Sequence, residues 1–474
     1  MHRWLGSVTL KGGFRRRWSF SSMNPKGVLW LLFCVSARAD VLVVSPAAAP
    51  FTSIPAALRV AKPGDTLQIQ AATYVGNLTL DKTVVLEGIG KPVLRGSGDG
   101  SVLTILAPHC VVQGLIIEHS GSDLQKEDSG ILLKSAGNRV EDNDLRDVLY
   151  GIYLYQSRGN AIRRNAIQGR KELEIGERGA GLHLWDSPSN IIEENIITET
   201  RDGLYIQSSP DNTIRRNRVT HLRYGVHYMF SDSNTFEANL FSENVAGAAI
   251  MYSSHIVFRH NAFVHNRGFS SFGILFQECG NCYAEENFIV DNEVGIFMEA
   301  LHKSIFRRNV IGENDVALQI FSSSDENTFT ENNFVENLSP LYLIGKRTTT
   351  HWESHGRGNF WSDYEGHDLD ANGIGDVPHK VQNVFEFLEG NYPRLRLYLE
   401  SPAAQGLAIA EKAFPIIQGS MEIDEAPLAK AVKMAYPFQA ARTQGHTNFE
   451  LAVTSSLLVL VTIFAIWRAQ RRLQ

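Results

Sequence analysis

An asparagine returns on a fixed beat through the middle of this chain, and that beat limits the fold more than any other feature. Asn143, Asn165, Asn195, Asn217, Asn239, Asn261, Asn287, Asn309 and Asn332 are spaced by 22, 30, 22, 22, 22, 26, 22 and 23 residues. The glycines Gly130, Gly151, Gly181, Gly203, Gly225, Gly247, Gly273 and Gly295 keep the same time. A period near 22, without heptads or a leucine-rich signature, predicts one coil of a parallel β-helix per repeat. The two stretched intervals predict loops inserted near 170–179 and 264–272.

Side-chain alternation fits that coil. Three residues before each asparagine stand Val140, Ile162, Ile192, Ile214, Phe236, Phe258, Ala284, Phe306 and Phe329, which predicts one stacked apolar row pointing inward. Two residues before it the chain reads Glu141, Arg163, Glu193, Arg215, Glu237, Arg259, Glu285 and Arg307. Neighbouring strands lie about 4.8 Å apart, so each charge should meet its opposite above and below. That face reads as paired, solvated scaffold. The β-helix is expected over 40–345, with a C-terminal cap over 346–396 and a helical linker over 397–450. Within that linker, 408–414 and 428–434 are the helical stretches.

The two ends carry addresses. Residues 1–39 hold seven basic and no acidic side chains, an apolar run from Val28 to Val35, and a small-x-small site at Ala37-Arg38-Ala39. This predicts a signal peptide and export by the general secretory route, because the residues after Arg15-Arg16-Arg17 fit a twin-arginine motif poorly. Leu451–Trp467 is a charge-free apolar run of 17 residues, followed by Arg468, Arg471 and Arg472. It predicts one transmembrane anchor with a cytoplasmic tail at 468–474, the alternative being a C-terminal core helix. Of 45 basic residues, 7 lie in 1–39 and 3 beyond Glu450, so 35 face 51 acidic ones between, a net of −16. Such a surface excludes nucleic acid as a partner. After the signal leaves, Cys110, Cys279 and Cys282 remain; the Cys-x-x-Cys pair reads as a disulfide, a redox pair, a metal clip or two structural turn residues.

One outer face carries unusual chemistry. On the strand after each glycine the second and fourth residues should point outward. They are Tyr153 and Tyr155, His183 and Trp185, Tyr205 and Gln207, His227 and Met229, Ala249 and Met251, Leu275 and Gln277, Phe297 and Glu299. Aromatic residues, histidine and methionine facing solvent predict a partner-docking strip, with Tyr153, Tyr155, Trp185, Tyr205 and Phe297 its aromatic members. His227 and Met229 share a face, and Met251 is the counterpart of Met229 one coil on. An imidazole with two thioethers suits Cu(I), a soft ion, and docking and copper binding are compatible readings of one surface. Outside the coils, Asp368, Asp370, Asn372 and Asp376 with Gly373 match the start of a calcium loop, though His379 stands at position 12. The alternative there is a turn closed by its own Asx hydrogen bonds.

Three functions remain open on the residues alone: a carbohydrate-active β-helix enzyme (lyase, hydrolase or epimerase), an adhesive solenoid, and a tethered scaffold that passes metal. The enzyme needs convergent carboxylates, and the outward pairs offer Glu299 alone. The repeats Tyr224–Ser231 and Gly247–Ser253 and the segment Asn359–Tyr364, running into Asp368–Asp376, resemble the NosD family. The resemblance implies a right-handed parallel β-helix in the periplasm that is not an enzyme and that serves nitrous-oxide reductase maturation. It implies docking on the ATPase and permease subunits of an ABC transporter, copper from a small lipoprotein chaperone, and the apo reductase as recipient. Carried onto this chain, His227, Met229 and Met251 become the copper ligands, with His183 and Met298 as further candidates.

Overall fold

The computed structural model describes residues 39–47, 50–345, 349–382, 393–398 and 422–436, with scattered positions between 401 and 438. The signal segment and Leu451–Trp467 lie outside the described residues. Among the described residues no helix is long and apolar enough to cross a membrane.

The coils build three parallel sheets of 13, 12 and 13 strands, in an all-β solenoid. One coil shows the pattern. Thr213–Arg215 lies in the first sheet, Arg218–Thr220 in the second and Tyr224–Met229 in the third, before Thr235–Glu237 returns to the first. Each strand pairs in parallel with its equivalents above and below, as in Ile192↔Ile214↔Phe236↔Phe258. The inward rows form one dry core. Phe236 stacks on Phe258 at 4.8 Å, Phe241 on Phe263 at 5.1 Å, and Phe306 on Phe329 at 4.5 Å. All six rings are buried, and such stacked pairs add to the area they remove from water.

Asparagine holds the corner between the first and second sheets. The backbone N–H and the Nδ2 of Asn217 both donate to Oδ1 of Asn239, at 3.0 and 2.9 Å, and Nδ2 also reaches the Ile192 carbonyl. Asn239 repeats this toward Asn261, and Asn261 toward Asn287. The residue just before each asparagine sits in left-handed backbone although it is not glycine: Arg216 at φ 54°, Ala238 at 52°, His260 at 55°. That conformation costs roughly 1 kcal/mol or more per residue, and the amide bonds hold it in place. The other two corners carry ladders of their own, absent from the sequence reading. One runs Asn244–Asn266–Asn292–Asn314 and the other Asn138–Asn160–Asn190–Asn212–Asn234. At the glycine position the coils approach closely: a Cβ on Gly225 would lie 2.4 Å from the Gly247 carbonyl oxygen.

The charge alternation has the expected register, Glu141↔Arg163↔Glu193↔Arg215↔Glu237↔Arg259↔Glu285↔Arg307. Both insertions fall where the spacing put them. Glu193 pairs with Arg163 at 2.7 Å and also with Arg215, and Glu285 lies between Arg259 and Arg307 at 3.7 and 3.8 Å. Glu141 departs from the scheme, turning to Arg139 and Arg164 instead.

The far end differs from expectation. Leu428–Met434 is not helical: the chain from Glu422 onward runs extended against the cap. Ile423–Asp424 pairs antiparallel with His379–Lys380, Leu428 bridges Ile374, and the Val432 backbone exchanges two hydrogen bonds with Asn333. The pattern of Leu428, Ala429, Ala431, Val432 and Met434 mimics a helix, but the open end of the solenoid offers this segment better partners. All of the 408–414 helix except Ala410 lies outside the described residues. The asparagine ladder also continues beyond Asn332 to Asn359, whose N–H and Nδ2 then both donate to the carboxylate of Asp424. Asp424 occupies the place the next asparagine would take.

Asn239→Ala should take from the Asn217 N–H and Nδ2 their shared acceptor and from the buried Ile214 carbonyl its amide donor, and lower stability by about 2–4 kcal/mol, read as a fall in the urea midpoint. Arg215→Glu should cost less, about 1 kcal/mol, because its side chain is partly solvated and the face is screened; the loss should shrink in 1 M salt.

Candidate functional site

The third sheet turns its outer face to a strip of three side-chain rows set by strand register, the first of them Asp202↔Tyr224↔Ala246↔Phe272↔Val294. The middle row reads Tyr153↔His183↔Tyr205↔His227↔Ala249↔Leu275↔Phe297. Beside it runs Tyr155↔Trp185↔Gln207↔Met229↔Met251↔Gln277↔Glu299. His227 and Met229 therefore share one face of the strand Tyr224–Met229, and Met251 is the direct lateral partner of Met229 on Ala246–Met251. Both methionines are partly exposed, and Ala249 opposite His227 keeps the middle row small there.

Met298 is a correction. It pairs with Phe276, one position off the strip, and is wholly buried in the core, where its sulfur meets no solvent-side ligand. The period of two puts it on the opposite face from Phe297.

His183 and Tyr153 also sit differently from expectation. Tyr153 is buried, so it is no docking residue. Leu124, from the loop before Ser129, and Leu173, from the 170–179 insertion, pack with Leu149, Tyr150, Ala180 and Tyr205 over this end of the strip. Beneath them the rings form a column: Tyr153 to His183 at 4.4 Å, His183 to Tyr205 at 4.6 Å, Tyr205 to His227 at 4.9 Å. His183 is 6% exposed and neither ring nitrogen has a hydrogen-bond partner in the protein. Burial, then the nearby Arg201 charge, pushes its pKa down to about 3. The imidazole is therefore neutral near pH 7.

Three residues of the site escaped the sequence reading. Asp202 opens the strand Asp202–Gln207 and is completely buried. Arg223 clamps its carboxylate with Nε to Oδ1 at 3.0 Å and Nη2 to Oδ2 at 2.9 Å, and Arg201 Nε adds a bond at 3.2 Å. His227 Nδ1 lies 3.4 Å from Oδ2. Burial alone would push the Asp202 carboxyl up, but the bonds from His227 and Arg223 outweigh it and hold the group below the usual carboxylate range. The sequence carries a signal for it: Asp202 immediately precedes Gly203, one residue outside the rows that begin at the glycine, and it lies opposite Tyr224.

Just past the two methionines, Phe230 and Tyr252 stack at 5.1 Å with rings 13° from parallel, 56% and 39% exposed. Trp185 is 37% exposed on the same row as the methionines, while Tyr155, Tyr205 and Phe297 are partly covered. The apolar surface of the strip thus gathers around the thioethers rather than along its whole length.

Two other candidate groups lie off these rows. Cys279 and Cys282 are buried free thiols at the corner where other coils carry Ser-x-x-Asn, as in Ser187–Asn190, Ser209–Asn212 and Ser231–Asn234. Burial, the largest cause, pushes them up to about 12 and 11, so both stay protonated and are poor nucleophiles and poor ligands. In the loop 368–376, Asp368 accepts from the N–H groups of Asn372 and Gly373, Asp370 from Asn372, Asn372 from Ile374, and Asp376 from Leu369. These are Asx turns that order the loop, and the calcium reading of the same oxygens stands beside them as an expectation. Among the described residues no three His, Cys, Asp or Glu side chains converge to hold a metal ion. The donor set on the strip is of another kind, an imidazole with thioethers.

The profile of the family described as "Periplasmic copper-binding protein (NosD)" matches residues 164–366. A protein of Pseudomonas aeruginosa PAO1 named "Probable ABC transporter binding protein NosD" is 36% identical over 378 residues, 76% of this chain and 87% of that one. Its namesake from Stutzerimonas stutzeri is 34% identical over 380 residues, 77% and 86% of the two chains. Among solved structures, the A-module of the Azotobacter vinelandii mannuronan C-5 epimerase AlgE6 superposes with a TM-score of 0.50 at 13% identity, over 63% of this chain and 93% of that one. That likeness is one of fold alone.

A neutral buried imidazole makes the fold acid-sensitive. Unfolded, His183 takes a proton near pH 6.5; folded, it resists until about pH 3, so stability is fully present above 6.5 and declines as pH falls through that window. From pH 7 to pH 5 the wild type should lose about 2 kcal/mol that His183→Phe does not lose, measured by urea unfolding at each pH.

Proposed function

The chain belongs to the NosD family of periplasmic copper-binding proteins, and from that premise we propose that it receives and passes Cu(I) on the outer strip of its third sheet. The cargo would rest on Met229 and Met251, with His227 as the nitrogen ligand. The single observation that carries this reading is the direct pairing of Met229 with Met251, two residues along the strand from His227. Thioethers bind a soft ion without losing a proton, so uptake and release need no change of protonation, which suits a relay better than a store. Thiolates would hold copper far more tightly; the Cys279 and Cys282 thiols are buried and protonated.

The exposed stacked pair Phe230 and Tyr252, each next in sequence to one of the thioethers, suits a partner that must exclude water while an ion changes hands. The names of the relatives support an ABC transporter as one partner; the family resemblance adds its ATPase and permease subunits as the docking points. On the family resemblance, a copper lipoprotein is the donor and apo nitrous-oxide reductase the recipient, whose copper-sulfur centre is being assembled. Leu451–Trp467 would tether the solenoid to the inner membrane beside these partners. The strip's carboxylates favour this reading over sugar chemistry: Asp202 is engaged by two guanidinium groups and an imidazole, and Glu299 by Gln277. Neither is a free general base.

Met229→Leu combined with Met251→Leu keeps volume and fold but removes both sulfurs. The full-length protein should lose Cu(I) affinity by roughly a hundredfold in anaerobic competition with a chromogenic chelator, with an unchanged melting profile. Unaltered affinity would move the copper site elsewhere.

A further inference from the structure

On the third sheet, a residue of one coil reaches a candidate ligand of the next. Asp202 begins its strand three residues before Tyr205, and Tyr205 lies directly opposite His227. The Asp202 carboxylate therefore meets His227 diagonally, with Nδ1 and Oδ2 3.4 Å apart. Arg223 approaches the carboxylate side-on through two nitrogens, and Arg201 adds a third donor. A guanidinium has five N–H donors and no acceptor, so the group it clamps is a carboxylate, which can only accept. The imidazole atom facing that carboxylate must then carry the proton.

We infer that Asp202 is the positioning residue of this copper site, fixing His227 as the Nδ1–H tautomer and leaving Nε2 as its bare donor atom. The inference rests on the copper reading above. A ligating imidazole whose other nitrogen donates to a carboxylate is held in one tautomer and one orientation, and its basicity rises. The rest of the pocket supports the same arrangement. Tyr205 and Tyr224 pack edge-on against the His227 ring at 4.9 and 5.2 Å, limiting its rotation. Arg223 lies over the Tyr224 ring at 4.6 Å, so the clamp on Asp202 is itself anchored. Asp202 is entirely buried, whereas the His227 side chain keeps 17% of its surface exposed. The proton side of the imidazole thus faces a saturated interior, and exposed ring surface remains for an ion.

The arrangement also separates the two histidines of the strip. His183, two coils below, has neither a carboxylate nor any other protein partner on its nitrogens, and both the Leu124 and Leu173 loops close over its neighbours. An imidazole without a fixed tautomer and without access is a poor ligand. Asp202 marks His227 as the one that binds.

The test uses the full-length protein with 15N-labelled histidine. In the copper-free wild type, the side-chain nitrogen shifts of His227, assigned by their loss in His227→Gln, should be those of the Nδ1–H tautomer. Asp202→Asn should mix the tautomers and weaken Cu(I) binding roughly 10–100-fold in chelator competition. Met229→Leu with Met251→Leu should weaken copper without moving the tautomer. An Nε2–H signature in the copper-free wild type would overturn the inference even if Asp202→Asn failed to fold. So would unchanged copper affinity in a folded Asp202→Asn protein whose tautomers are mixed. Failure of the wild type to take up Cu(I) at all would sink the copper reading and this inference together, whereas normal uptake with either earlier outcome would overturn this inference alone.

Discussion

Each corner between the first and second sheets is held by one buried amide that joins the coil above to the coil below. Asn217, Asn239 and Asn261, all buried, each donate twice to the next Oδ1 and also to a carbonyl of the coil below. Buried polar groups are costly when unpaired, so a coil that slipped by one residue would forfeit these bonds and also turn its phenylalanines to solvent. The left-handed residues before each asparagine show the strength of this constraint. Arg216, Ala238 and His260 accept an unfavourable backbone because the next residue locks it. Register, corner geometry and core stacking are therefore one cooperative arrangement.

That constraint leaves the outer face of the third sheet free to carry chemistry. With the inward positions and the corners fixing the fold, outward positions can change without loss of structure, and lateral pairing sets any two of them side by side. Met229 beside Met251, and Asp202 diagonal to His227, are products of register alone. The insertions then give the strip two ends of different character. Near Tyr153 and His183 the loops carrying Leu124 and Leu173 close it, while near Met229 and Met251 it stays open beside Phe230 and Tyr252.

The solenoid could be read from the sequence because its information is periodic. The asparagine spacing, the phenylalanine row and the alternation from Glu141 to Arg307 all predict the same neighbours, and those neighbours pair. The outward rows were legible for the same reason. What could not be read depends on where aperiodic segments travel. Tyr153 is outward in the pleat yet buried, because two loops of unrelated sequence fold over it. Leu428–Met434 looks helical in isolation but lies extended, because the end of the solenoid provides backbone and side-chain partners. Met298 was legible and was misplaced, since the alternation already assigned it inward. Asp202 precedes the glycine that seemed to open its strand, and its role appears only when the coil above brings His227 to it.

The way the ladder stops has its own significance. A solenoid whose last coil presented free amides and strand edges would be a template for a second molecule, and stacking would continue into fibres. Asp424 returns from 65 residues downstream to accept the two donors of Asn359 and the indole N–H of Trp361, so the final amide has no vacancy to offer. A carboxylate has no donor with which to begin another rung. The protein is thereby given a definite length, and a relative could gain or lose middle coils while keeping the same stopper.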